Sequence, residues 1–186
     1  MPRADGVGFA RKPCAHRGAW SQPSATRPAR FLKVNKWETS MLSIAERRQR
    51  IIAQHETLRE MVRNMMETAS HVSKGDVAEH GALRIQIGML RWALELHVVD
   101  EEQLLEPVLA RLNGSGAQHL AAMNEEHAQQ RAVLASLQSG LGGDVGARAL
   151  AANAAAVGSG LLEDMEREER QLLSPEALGE TSAAGG

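Results

Sequence analysis

"HVVDEEQLLEP", residues 97–107, breaks an apolar helical stripe with charge. Before it, Leu83, Ile87, Leu90 and Leu94 recur at three- and four-residue intervals, and after it come Leu104, Leu105 and Val108. That spacing puts these residues on one face of an α-helix. His97 and Glu101 are four apart, so they occupy the same face in successive turns, where leucines would continue the stripe. A carboxylate without a partner in an apolar interior costs on the order of several kcal/mol, or else stays protonated. Either the stripe ends here and the charges face water, or the interior of the protein needs an imidazole and an acid.

Working outward, the same period of 3.6 recurs in four segments, at about 43–71, 76–112, 117–141 and 144–173. The first aligns Ile44, Ile51, His55, Leu58, Val62 and Met65, and Ser43 with Glu46 forms a capping-box pattern at its start. Gly75 and Asp76 break it. The second carries the opening stretch, and Pro107 predicts a kink or helix break near Leu105 and Glu106. "NGSG" (113–116) is a turn. The third aligns Leu120, Met123, His127, Leu134, Leu137 and Leu141. "GGD" (142–144) turns the chain again, and the fourth segment aligns Leu150, Val157, Leu161, Asp164, Glu168 and Leu172 before Ser174 and Pro175 end it. No segment alternates like a strand. Four amphipathic helices with short turns predict an all-α, up-down-up-down four-helix bundle.

Composition agrees. Ala, Leu, Met, Glu, Gln and Arg are abundant helix formers, and aromatic residues are scarce. Cys14 is the only cysteine, which excludes a disulfide framework or thiolate metal cluster and suits a reducing, cytoplasmic setting. No apolar run approaches the roughly 18 residues needed to span a bilayer, so no membrane association is expected. Residues 1–40 differ from the rest: they hold eight Lys/Arg against Asp5 and Glu38, and four of the six prolines. They read as a disordered basic extension. Such a segment suits an organellar presequence, a nucleic-acid-binding tail, or a start assigned upstream of a true first residue at Met41. The bundle is expected over 41–176, with a flexible tail at 177–186. From residue 41 onward, thirteen basic residues face twenty-one acidic ones, which argues against nucleic acid as a partner of the bundle.

Each helix sets a potential metal ligand within its apolar stripe: His55, then His97 with Glu101, then His127, then Asp164 with Glu168. One such histidine alone is usually a hydrogen-bonded core residue. Six candidates in phase with the core, at least one from every helix, favour a metal ion. A cation accepts neutral imidazole nitrogens and ionised oxygens together, and its charge offsets theirs. Counting from the turns, the candidate heights differ by roughly 5–8 Å at 1.5 Å per residue, which permits convergence without requiring it.

These motifs resemble the hemerythrin-like, or HHE cation-binding, domains. The resemblance covers about residues 43–175 and rests on "AQHETLREMV" around His55, "HVVDEEQLLEP" with its trailing Pro107, "EEHAQQRAVL" around His127, and "LLEDMEREERQLLSP" on the last helix. It implies a centre of two irons, or one where the site is depleted. His55, His97, His127 and an acid at 164 would be terminal ligands, with Glu101 and Glu168 bridging. It further implies binding or sensing of a small diatomic ligand such as oxygen or nitric oxide, or of redox state. Asp164 stands where the family usually has histidine, and the shell would then be richer in oxygen. Aligning the last helix on Pro175 instead would offer Met165 and Glu169, with Met165 a poor ligand for a hard iron ion. Two further readings stay open: a ferritin-like oxidase or peroxidase with a carboxylate-rich iron site, and a metal-depleted interaction module. No output domain is recognisable, so sensing would need a separate protein partner. His71 and His80 read as helix-end residues, and Trp92 reads first as core or boundary packing, with edge cover or self-association as the alternatives.

Overall fold

The computed structural model describes residues 41–112, 114–142 and 146–179. The basic extension at 1–40 and most of the expected tail lie outside them. Four helices form, as the period predicts: α1 (Ile44–Ser73), α2 (Glu79–Leu109), α3 (Gly116–Gly142) and α4 (Ala147–Gln171).

Local chemistry sets the ends. Ser43 and Glu46 make the expected capping box, with the Glu46 carboxylate accepting the Ser43 N–H at 2.7 Å and the Ser43 hydroxyl accepting the Glu46 N–H at 3.2 Å. Gly75 turns the chain with φ +101°, a left-handed conformation that favours glycine. His71 sits in the last turn of α1, as expected of a helix-end residue. α2 begins at Glu79 rather than at Asp76, because the Asp76 side chain accepts the Ala78 N–H at 3.1 Å and holds those residues in a turn. Of the kink or break expected near Leu105 and Glu106, the break does not occur. α2 continues through Pro107 to Leu109, where Pro107 is exposed and only the final turn loses a hydrogen bond.

Consecutive helices pack as neighbours around a ring, α1 chiefly against α2 and α4, which gives the up-down-up-down bundle. α3 is the least engaged of the four. The core divides into two apolar clusters. One contains Leu58, Val62, Met65, Leu90, Leu94, Leu134, Leu161 and Met165. The other contains Ile51, Leu104, Leu105, Leu109, Met123, Leu172, Leu173 and Leu178. On every helix the inward polar residues fall between the two. Leu178 is fully buried in the second cluster, so the segment expected to be flexible from 177 stays packed at least that far. Trp92 lies outside both clusters at 57% exposure, an edge residue.

Candidate metal centre

His55, His97, Glu101 and Glu168 converge between the two clusters, each offering one donor atom within 4.8 Å of all the others. The height differences counted from the turns vanish in the fold: His55 Nε2 and His97 Nε2 lie 3.2 Å apart. Glu101 Oε2 is 3.3 Å from both His97 Nε2 and His127 Nε2, and Glu168 Oε2 is 3.5 Å from His55 Nε2. All five residues are at most 4% exposed. Asp164 stands apart from them, half-buried, with its Oδ1 bound by Arg167 Nη2 at 2.5 Å. Met165 belongs to the apolar core and offers the site no ligand.

The outer faces of the imidazoles explain why the inner nitrogens point together. His55 Nδ1 donates to Glu169 at 2.9 Å, His97 Nδ1 to the Gln54 carbonyl oxygen at 3.0 Å, and His127 Nδ1 to Glu102 at 3.1 Å. Gln54 has no choice of direction, since its Nε2 donates to the Asp100 carboxylate at 2.9 Å. Each ring is thereby held with its Nδ1–H outward and its Nε2 inward. His55 Nε2 and His97 Nε2 face each other at 3.2 Å, close enough to share a proton in a hydrogen bond.

The acids behave accordingly. Burial opposes ionisation of Glu101, yet hydrogen bonds from Glu168, His127 and His97 outweigh it and hold its carboxyl well below the usual range. Burial and the neighbouring Glu101 charge push Glu168 well above it, and the two carboxyl groups are hydrogen-bonded to each other. For His127 burial favours the neutral ring, but Glu101 and Glu102 prevail and raise its pKa. His55 goes the other way, lowered to about 4 by burial and by His97, so at neutral pH its ring is uncharged. The shifts of Glu168 and His127 both favour the protonated form beside the Glu101 carboxylate. Glu101 Oε1 and Glu168 Oε1 are buried with no hydrogen-bond partner among the described residues. Buried imidazole nitrogens, two carboxylates and two unsatisfied oxygens are a donor set that suits a divalent cation.

The residues that hold the rings were not recognised from the sequence stripe. Gln54 precedes His55 by one position, and Glu102 and Glu169 each follow an inward glutamate by one. A step of one residue turns the side chain about 100° around the helix, off the stripe and into the seam with the next helix. The doublets Glu101-Glu102 and Glu168-Glu169 are the available signal: the first acid points inward and the second grips a neighbour's histidine.

The family model for the hemerythrin HHE cation-binding domain matches residues 48–175. No curated protein and no solved structure matches the chain. The match spans all four helices and every residue of the buried cluster, and the chain belongs to the hemerythrin HHE cation-binding domain family.

Proposed function

We propose that this protein holds non-haem iron between its helices and uses it to bind or sense a small diatomic ligand, oxygen or nitric oxide, or redox state. The observation that carries this reading is the set of three imidazoles with their Nδ1–H groups engaged and their Nε2 atoms aimed inward at two carboxylates. His55, His97, Glu101 and Glu168 would be ligands, with His127 beside Glu101 and Asp164 at the rim. Mixed nitrogen and oxygen donors without thiolate suit iron. Iron held there would supply an exchangeable coordination position and a change of redox state.

The chain's own residues do the rest. Glu169, Gln54 and Glu102 orient the rings, and the two apolar clusters exclude bulk water from the layer between them. Leu58, Val62, Leu90, Leu94, Leu161 and Met165, with the polar Gln130, close around His97 and leave no water-sized space there. Burial this deep excludes larger substrates. No described helix is long and apolar enough to cross a membrane. A cytoplasmic location is supported by the single cysteine.

Metal analysis after anaerobic loading with ferrous iron tests the reading. Iron should be retained by the wild-type chain and lost in His97→Ala and Glu101→Ala, which should stay helical by circular dichroism. A wild-type protein that retains no iron sinks the proposal.

A further inference from the structure

The polar layer is built twice. On α1, His55 is followed four residues later by Arg59, and the two grip Glu169 of α4 at 2.9 Å each. On α3, His127 is followed four residues later by Arg131, and the two grip Glu102 of α2 at 3.1 and 2.8 Å. Glu101 and Glu168 then correspond, and so do the residues four before each of them and one turn away: His97 on α2 matches Asp164 on α4. The same two-fold relation pairs Gln54, which precedes His55, with Glu126, which precedes His127. It pairs Asp100, three after His97, with Arg167, three after Asp164.

The correspondence fails at those last three pairs, and it fails in charge. On the first side Gln54 bridges His97 and Asp100, turning the ring so that His97 Nε2 joins His55, Glu101 and Glu168. On the second side a single nitrogen, Arg167 Nη2, binds both Asp164 at 2.5 Å and Glu126 at 2.6 Å. The acid in the ligand position is drawn to a guanidinium instead of inward. His127 is left with Glu101 alone as an inward neighbour, and neither His127 nor Asp164 joins the four groups that could share one ion.

We infer that the layer binds one metal ion rather than two, in the half bounded by His55, His97, Glu101 and Glu168, and that Arg167 supplies in the other half the positive charge a second ion would bring. This rests on the proposal that the layer holds metal. A guanidinium is permanently charged and has no electron to give, so the centre has one redox-active position. Of the two counts the resemblance implies, two irons or one, this inference selects one.

Stoichiometry after anaerobic ferrous loading and desalting is the test, with the electron paramagnetic resonance of the oxidised protein as second readout. The wild type should bind one ion per chain and show the half-integer-spin signal of an isolated ferric ion. Arg167→Lys, which keeps the charge, should do the same. The triple variant Asp164→His, Glu126→Gln, Arg167→Asp copies the first half onto the second. It should bind two ions, with the signal lost to coupling between them. Two ions in the wild type would overturn this inference and leave the metal proposal standing. No ion in the wild type would overturn both. A folded triple variant that still binds one ion would overturn the role assigned to Arg167. If the triple variant fails to fold, Arg167→Gln alone decides: a stoichiometry above one supports the inference, and one overturns it.

Discussion

At the scale of single residues, the second glutamate of each doublet carries as much of the design as the first. Glu169 and Glu102 bond the outer nitrogens of His55 and His127 as well as Arg59 and Arg131, and their ionisation is favoured, against the opposing effect of burial, by those arginines and by the rings themselves. Partners of this kind are worth about 10–100-fold in metal affinity. Glu169→Gln and Gln54→Leu should therefore weaken iron binding by about that factor in a competitive chelator titration, with the fold unchanged. Equal affinity in both variants would reduce those contacts to packing. The raised pKa of Glu168 gives a second expectation. As a ligand it must release its proton before a cation can take its place. Binding should thus release protons and strengthen as pH rises. His55 contributes little to that slope above about pH 5, because its pKa lies at about 4. Calorimetry in buffers of different ionisation enthalpy measures the release directly.

At the scale of the helix, stability divides between ends, faces and spacing. Ser43→Ala removes the cap of α1 and should cost about 1 kcal/mol in denaturant unfolding. Glycines inside helices offer contrasting cases. A side chain at Gly88 or Gly160 would meet nothing within 4 Å, so alanine at either should stabilise by up to about 1 kcal/mol through helix propensity alone. At Gly158 an added Cβ would lie 2.7 Å from Met66 Cγ and 3.2 Å from Val62 Cγ1, where α4 crosses α1. Gly158→Leu should cost about 1–3 kcal/mol by overpacking that crossing. A leucine tolerated there without loss would show that the spacing of the two helices is loose. The helices themselves were legible because burial of one face imposes the 3.6 period on Ile51, Leu58, Val62 and Met65 as it does on Leu83, Ile87, Leu90 and Leu94. Ends were less so: the Asp76 side chain moves the start of α2, and a proline within the last turn leaves the helix intact.

At the scale of the molecule, the inward polar residues were legible for the same reason as the core, since each violates an otherwise apolar stripe. What the stripe hides is rotation of side chains within a layer. Asp164 is in phase with Glu168, yet an arginine from the same helix decides where its carboxylate goes. The seam residues Gln54, Glu102 and Glu169 act between helices, and no single-helix pattern records which neighbour they meet. Because binding to the folded state alone raises stability by mass action, iron at about 100 times its dissociation constant should add about 2.7 kcal/mol to unfolding. Parallel thermal melts with and without iron check this, and an unchanged midpoint would count against a site that forms only in the fold. The layer between the two oily halves has a last consequence. A bundle with a continuous greasy interior frays from its tips, whereas this one has its seam of weakness at the waist when only protons hold it together. Backbone amides near His97 and Glu168 should then exchange with deuterium sooner than those near Leu90 or Leu105, and a bound cation should reverse that order, so that the girdle becomes the last part to open.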